Sequence, residues 1–125
     1  MAVNFLLING SSDNHWEELL QRALGPLGKL SVIRASNGIV QLYEKYDVAI
    51  VDATVVEEVE FLVSRLRTKQ PTCRIVVVTA SPTWQRARTA FEAGAIDYIP
   101  KSLGQDELKK TFQEILQKPL PPWPR

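Results

Sequence analysis

Residues 74–79 read Arg74-Ile75-Val76-Val77-Val78-Thr79 and form the most β-branched stretch of the chain. β-Branched side chains favour strands, because their restricted rotamers pack well on a pleated surface. A strand that is apolar along its whole length is typical of a parallel sheet covered by helices on both faces. The stretch therefore predicts a central strand of such a sheet.

Four more strand-like runs flank this segment, at residues 3–8, 29–35, 47–52 and 96–99. Each of the five runs is followed by apolar residues at helical spacing, which predicts five strand–helix units. Parallel neighbours require right-handed crossovers, so the sequence predicts an α/β fold with a doubly wound, five-stranded parallel sheet. The predicted helix residues are, in chain order, Trp16, Leu19, Leu20, Ala23 and Leu24; Ile39, Val40, Tyr43 and Tyr46; Val55, Val59, Leu62, Val63 and Leu66; Trp84, Ala87 and Phe91; and Leu108, Phe112, Ile115 and Leu116.

Glycine, proline and hydroxyl residues punctuate these helices. Gly25-Pro26 predicts the end of the first helix, since proline cannot continue a helix and glycine readily terminates one. Ser81-Pro82 predicts the start of the fourth helix, and Gly94 predicts its end. Four prolines within residues 118–125 rule out a continuation of the last helix, so we expect one domain over residues 1–117 and a tail or linker after it.

Composition excludes several classes of protein. The 125 residues carry 15 Lys and Arg against 14 Asp and Glu, so no large positive field is available for direct binding to nucleic acid. The sequence contains no apolar run long enough to span a membrane and no basic leader. Cys73 is the only cysteine, which excludes an internal disulfide. These features predict a cytoplasmic domain without membrane association.

Polar residues stand where the predicted strands end. Asn9 follows the first strand, Asp52 ends the third, Thr79 ends the fourth and Lys101 comes just after the fifth. The carboxyl ends of parallel strands meet at one edge, where α/β proteins build their sites. A carboxylate, a hydroxyl and an ammonium at this edge suit a phosphoryl group. Taken singly, each has an ordinary structural explanation: a cap, a strand residue and a surface charge.

Taken together, the segments around Asp52, Thr79 and Lys101 resemble the receiver domain of bacterial response regulators over residues 3–117. The matching stretches are Tyr46-Asp47-Val48-Ala49-Ile50-Val51-Asp52, Val76-Val77-Val78-Thr79-Ala80-Ser81 and Phe91-Glu92-Ala93-Gly94-Ala95-Ile96-Asp97-Tyr98-Ile99-Pro100-Lys101. The resemblance implies a flavodoxin-like (βα)5 fold with strand order 2-1-3-4-5. It also implies a signalling module that is not an enzyme.

In that family a histidine kinase donates a phosphoryl group to the aspartate in the presence of Mg²⁺. Carried over to this sequence, the resemblance makes Asp52 the phosphoacceptor, Thr79 and Lys101 the groups that contact the phosphoryl oxygens, and Tyr98 the switch aromatic. Asp52 and the backbone carbonyl of Thr54 are the implied metal ligands. A half-buried Tyr98 without any switching is the competing interpretation.

The sequence departs from the family pattern at the metal site and at the lysine. Asn9-Gly10 stands where the family normally has two adjacent acidic residues, so we expect weakened Mg²⁺ binding, with Asn9 a weak ligand at most. Ser102 replaces the proline that commonly follows the lysine. A cis bond before a non-proline residue costs about 2.5–4 kcal/mol, so we expect a trans peptide there.

Two functions stay open from the sequence. One is a receiver in phosphorelay signal transduction that accepts a phosphoryl group at Asp52 with weakened Mg²⁺ dependence. The other is a phosphorylation-independent pseudo-receiver that acts as a protein–protein interaction module. Expected partners are a histidine kinase or another signalling protein, a C-terminal effector domain in a longer chain, and a second copy through the face of the fourth and fifth predicted helices. On the fourth predicted helix, Trp84, Arg86 and Arg88, with Tyr98 nearby, form a mixed aromatic and basic surface such as partner proteins use, and an ordinary solvated helix surface is the alternative.

Overall fold

The structure is a computed structural model that describes residues 3–9, 14–34, 45–53 and 59–119. Within these residues a five-stranded, fully parallel sheet has the order β2-β1-β3-β4-β5. The strands are β1 Val3–Asn9, β2 Gly28–Arg34, β3 Val48–Asp52, β4 Arg74–Thr79 and β5 Asp97–Pro100. The described helices are α1 Asn14–Leu24, α2 Val59–Lys69, α3 Trp84–Ala93 and α4 Gln105–Gln117. This arrangement confirms the predicted doubly wound α/β fold and its strand order.

The sheet separates two apolar cores, because successive side chains of a strand point to opposite faces. Phe5 and Leu7 of β1 pack into the core that contains residues of α1 and α4. Leu6 and Ile8 pack into the other core, with residues of α2 and α3. All five residues of β3 are buried, which is the pattern expected for a central strand with helices on both sides.

Several predicted boundaries differ from the structure, by one residue in the first three strands and more clearly at α3. Helix α3 begins at Trp84 with Thr83 as its N-cap, whose hydroxyl accepts a hydrogen bond from the backbone N–H of Arg86 at 3.2 Å. The predicted cap at Ser81-Pro82 was wrong: both residues lie in the loop before the helix, where the Ser81 N–H donates to the Thr79 hydroxyl, and Thr83 caps the helix instead. Strand β5 runs to Pro100 and starts one residue later than predicted. The predicted glycine stop holds, since the Gly94 N–H caps the last turn of α3.

The predicted apolar stripe of α3 does not face the core. Trp84 is 69% exposed and Phe91 is 45% exposed, whereas Ala90 is the buried residue of this helix. The helix therefore packs through small residues and presents its large aromatic side chains to solvent. Arg86 and Arg88 are exposed on the same helix, and Arg88 forms a 2.8 Å ion pair with Glu92.

Some predictions concern residues outside the described part of the chain. The second predicted helix falls largely on residues 35–44, and residues 54–58 include Thr54 and the expected start of the third helix. In the tail, α4 ends at Gln117 as predicted, and Lys118 follows as its C-cap with an extended backbone. Residues 120–125 lie outside the described residues.

Candidate functional site

Three strand ends bring the predicted site residues to one edge of the sheet. Asp52 is the last residue of β3, Thr79 is the last residue of β4, and Lys101 directly follows β5. The ladder continues beyond the strands, because the Lys101 N–H donates to the Thr79 carbonyl at 2.8 Å. The backbone of each residue is thus fixed by the neighbouring strand. The three residues therefore lie close together at the ends of the adjacent strands β3, β4 and β5.

Asp52 and Lys101 form a direct ion pair. The Lys101 Nζ donates to Asp52 Oδ2 at 2.6 Å, and the two side chains are 13% and 1% exposed. Hydrogen bonds between ionised groups are short and roughly twice as strong as neutral ones. Because both charges lie away from bulk water, solvent and salt screen their attraction poorly. The structure therefore places a carboxylate and its counter-ion together in a buried pocket.

Thr79 lies beside this pair, with its side chain directed to the following loop. The residue is 2% exposed, and its hydroxyl accepts a hydrogen bond from the Ser81 N–H at 3.1 Å. The hydroxyl proton is not used by that contact, since the oxygen acts as the acceptor. Thr79 can therefore donate to an anion without first breaking its bond to the loop.

Tyr98 lies on β5, opposite Val77, and packs against the core beneath α2 and α3. Its hydroxyl oxygen is buried and has no hydrogen-bond partner among the described residues. An unpaired buried hydroxyl is costly, whereas the same group in water would be fully hydrogen-bonded. The inward position of the Tyr98 ring is therefore held by packing at the expense of a polar group.

Sequence reasoning missed a further residue of the site, Trp16 in the first turn of α1. The Lys101 ammonium lies 5.1 Å from the centroid of the Trp16 ring, which is a cation–π distance. Trp16 is only 5% exposed, and its indole N–H has no hydrogen-bond partner in the described parts of the chain. Helical spacing correctly predicted Trp16 as a core residue, but spacing alone carries no sign of a contact 85 positions away.

The described residues do not supply a typical binding site for a divalent cation. They contain no cluster of three or more His, Cys, Asp or Glu side chains that would hold a metal. Mg²⁺ is bound through oxygen ligands, usually including one or two carboxylates. Here the Asp52 carboxylate already pairs with an ammonium at 2.6 Å. Asn9 ends β1 at the same edge, whereas Gly10 and Thr54 lie outside the described residues.

Cys73 has no part in this site. It lies just before β4, is fully buried, and is a free thiol. Burial raises its pKa to about 12, because the thiolate would lose its hydration in the core. Such a thiol behaves as a small apolar residue rather than as a nucleophile.

The fold and the buried carboxylate–ammonium pair define a doubly wound α/β domain with its site at the carboxyl edge of the sheet. Residues 19–113 match the family model of the response regulator receiver domain. The chain therefore belongs to the response regulator receiver domain family, whose members act in two-component signalling.

Individual relatives agree with this assignment. A response regulator from Thermotoga maritima is 25% identical and superposes with a TM-score of 0.79, covering 94% of this chain and 100% of that one. A response regulator from Burkholderia pseudomallei, with a phosphorylated aspartic acid, a calcium ion and citrate, is 26% identical with a TM-score of 0.73, covering 93% of this chain and 67% of that one. A cyclic di-GMP phosphodiesterase of Thermotoga maritima is 35% identical across 81% of this chain. The chain spans only 29% of the length of that relative.

Among the described residues no helix is both long and apolar enough to cross a membrane.

Proposed function

We propose that this domain accepts a phosphoryl group on Asp52 from a histidine kinase, with a weakened dependence on Mg²⁺. The observation that supports the proposal most directly is the 2.6 Å contact between Lys101 Nζ and Asp52 Oδ2 inside the pocket. An aspartate carboxylate can act as the nucleophile in phosphoryl transfer, and the adjacent ammonium attracts the anionic donor. The phosphorylated aspartic acid of the related Burkholderia protein is consistent with this role.

In the proposed reaction an oxygen of the Asp52 carboxylate attacks the phosphorus of the donor. The new O–P bond forms while the bond from phosphorus to the donor's nitrogen breaks, and its electron pair stays with the donor. The acyl phosphate then carries its negative charge on the phosphoryl oxygens. Lys101 exchanges the carboxylate for one of these oxygens, and the free proton of the Thr79 hydroxyl is donated to another.

The response of the domain follows from the contacts of Thr79 and Tyr98. Thr79 is linked to the loop after β4 through the 3.1 Å bond from the Ser81 N–H. A phosphoryl group that draws the Thr79 hydroxyl toward Asp52 therefore also draws on the loop that leads into α3. Tyr98 packs beside that helix with its hydroxyl buried and unpaired among the described residues. We propose that phosphorylation changes the ring's position and with it the surface of α3 and β5.

The proposed readout is an interaction with another protein or domain. We place the partner surface on α3, where Trp84 is 69% exposed and Arg86 and Arg88 are exposed on the same helix, and we extend it toward α4 for a second copy of the domain. Residues 118–125 are proposed as the linker that joins residues 1–117 to a C-terminal effector domain. The phosphodiesterase relative, of whose length this chain spans 29%, is consistent with a receiver domain in a longer chain, for which we propose a cytoplasmic location.

Incubation with acetyl phosphate, with and without Mg²⁺, followed by mass spectrometry of the intact protein tests the proposal. We expect a gain of about 80 Da per phosphoryl group that is lost in Asp52→Asn. Asp47→Asn is the matched control, because Asp47 lies at the start of the same segment and accepts a hydrogen bond from the Asn4 N–H at 2.8 Å. An unmodified protein under all conditions, or equal modification of Asp52→Asn, would overturn the proposal and favour a phosphorylation-independent pseudo-receiver.

A further inference from the structure

Lys101 carries the counter-charge of the site on a flexible side chain. Its four-carbon stem has many rotamers, so fixing a lysine carries one of the larger side-chain entropy costs. The backbone is fixed by the bond from the Lys101 N–H to the Thr79 carbonyl at 2.8 Å, but this bond does not orient the ammonium. The Asp52 carboxylate orients it only while that carboxylate is free to pair. A contact that does not depend on Asp52 would keep the ammonium in place while its anionic partner changes from the carboxylate to a phosphoryl oxygen.

Trp16 provides such a contact. The ring centroid lies 5.1 Å from the Lys101 Nζ, and the indole is almost completely buried. The negative face of an aromatic ring attracts a cation, tryptophan most strongly, and the attraction is larger when the pair is shielded from water. Because the indole is uncharged, this attraction does not depend on whether Asp52 is a carboxylate or an acyl phosphate.

The buried N–H of Trp16 gives a second, independent argument. It has no hydrogen-bond partner among the described residues, and burying such a donor unpaired is unfavourable because it loses its hydration. Phenylalanine or leucine would fill an apolar core at this position without that cost. A tryptophan at this position is therefore best explained by an interaction of its ring face. The Lys101 ammonium is the cation that lies over that face.

We infer that Trp16 is a positioning residue that holds the Lys101 ammonium in the pocket independently of Asp52. Before phosphorylation Trp16 and Asp52 bind the ammonium together. When phosphoryl oxygens replace the carboxylate as its anionic partner, the indole keeps the ammonium within reach of them. This second statement rests on the proposed phosphoryl acceptance at Asp52, whereas the contact itself does not.

The contact is tested by nuclear magnetic resonance of the lysine ε-methylene groups. Protons above an aromatic ring are shifted upfield, so we expect an upfield ε-methylene signal that disappears in Lys101→Met and is thereby assigned. The signal should persist in Asp52→Asn, return to the ordinary lysine position in Trp16→Leu, and remain partly shifted in Trp16→Phe. Phe61→Leu is the matched control, because Arg65 lies 5.6 Å from the centroid of that exposed ring. An unchanged signal in Trp16→Leu, or its loss in Asp52→Asn, overturns the inference.

The consequence for phosphoryl acceptance is tested separately with acetyl phosphate. A shielded cation–π contact corresponds to a change of roughly 2- to 30-fold, so Trp16→Leu should slow modification by a factor in that range. In the Lys101→Met background the same substitution should change the rate less than about 2-fold. An equal slowing in both backgrounds overturns the positioning role. If wild type is not modified at all, the proposed function fails, and the resonance measurement alone still decides whether Trp16 holds Lys101.

Should Trp16→Leu not fold, Trp16→Phe keeps the ring and decides the question. A reduced but measurable upfield shift supports the inference, since the phenyl face is a weaker cation partner. An ε-methylene shift identical to that of the wild-type protein overturns it.

Discussion

Lys101 pairs with Asp52 across 49 positions of the chain, and the carboxylate side chain is only 1% exposed. The pair exists because β3 and the end of β5 reach the same edge of the sheet on either side of β4. Burying an ion costs several kcal/mol, which a well-placed counter-ion largely offsets. Each charge therefore offsets the cost of burying the other. Removing the ammonium and removing the carboxylate should consequently change the stability of the domain by different amounts.

Lys101→Met should destabilise the domain more than Asp52→Asn does. The first leaves a carboxylate in the pocket without its ammonium, and breaking a buried pair in this way costs about 3–5 kcal/mol. The second leaves an ammonium whose side chain is already 13% exposed and has a flexible stem to reach water. Urea unfolding monitored by circular dichroism at pH 7 measures both.

The double variant Asp52→Asn, Lys101→Met provides the control. It removes both charges, so it should be more stable than Lys101→Met alone. Strictly additive losses in the double variant would contradict an energetic coupling between these side chains.

Much of the fold could be predicted from the sequence because the strands are recognisable from their local residue patterns. The β-branched run of β4 and the apolar run of β3 need no knowledge of distant residues, and parallel pairing then follows from the crossovers. Asp52, Thr79 and Lys101 could be placed together for the same reason, since all three stand directly at strand ends. The observed Asp52–Lys101 pair lies where that reasoning puts it.

Features that depend on packing between helices could not be predicted in this way. The stripe of Trp84 and Phe91 has the periodicity of a core face, yet both side chains are exposed because α3 packs through Ala90. The contact of Trp16 with Lys101 requires the relative position of α1 and the loop after β5. No local pattern contains that position.

Gly10→Asp should tighten Mg²⁺ binding. From the resemblance we expect Gly10 to stand where receiver domains normally have a carboxylate, and a negative charge close to a divalent cation is strongly favourable at the partly shielded edge of a protein. Isothermal titration calorimetry should show a Kd lowered by at least about 10-fold.

Gly104→Asp is the control for added charge, because Gly104 lies at the N-cap of α4 and a side chain there meets only Glu107, at 3.7 Å. Equal Mg²⁺ affinity in wild type and Gly10→Asp would contradict the expectation that the absence of acidic residues at this position weakens metal binding.

Gly94→Ala should destabilise the joint between α2 and α3. Gly94 has φ 124°, a conformation that side chains disfavour, and a β-carbon there would lie 2.6 Å from Cγ of Arg67. Arg67 is itself placed by a 3.4 Å bond from Nη1 to the Cys73 carbonyl, so its stem has little room to move. We expect a loss of about 1–3 kcal/mol in the free energy of unfolding.

Combining Gly94→Ala with Arg67→Met separates the two causes. The flexible methionine should relieve the steric part, and the backbone part should remain. If the free energy of unfolding of Gly94→Ala lay within about 0.5 kcal/mol of the wild-type value, both the steric and the backbone cause would be contradicted.

Cys73 should be unreactive until the protein unfolds. Burial raises its pKa from an ordinary value of 9.0 to about 12, so the native thiol stays protonated over the pH range in which an unfolded thiol ionises. Below pH 9 both states keep the proton, and above it only the unfolded state loses it, so stability falls as the pH rises from 9 toward 12. Cys73→Ala should therefore lose less stability than wild type between pH 8 and about pH 10.

Iodoacetamide labelling gives an independent measure of the same burial. Native protein at pH 8 should react at least about 1000-fold more slowly than protein in urea, as expected when reaction requires unfolding. Comparable rates would show that the thiol is accessible in the native state.

Arg74→Gln should loosen the end of α4. The Nε and Nη2 groups of Arg74 donate to the Lys118 carbonyl at 3.0 and 2.8 Å, which joins the start of β4 to the residue that caps the helix. Loss of two charge-assisted bonds to a partly buried carbonyl should cost about 1–3 kcal/mol, and the last turn of α4 should lose protection against amide hydrogen exchange. Lys118→Ala is the control, because it keeps that carbonyl and removes only the 3.2 Å ion pair between Lys118 and Asp97. The side chains of Lys118 and Asp97 are 43% and 28% exposed. Such a pair contributes less than about 1 kcal/mol, so this control should remain close to wild type. If Lys118→Ala instead loosened the helix as much as Arg74→Gln, the surface ion pair and not the arginine would hold the end of α4.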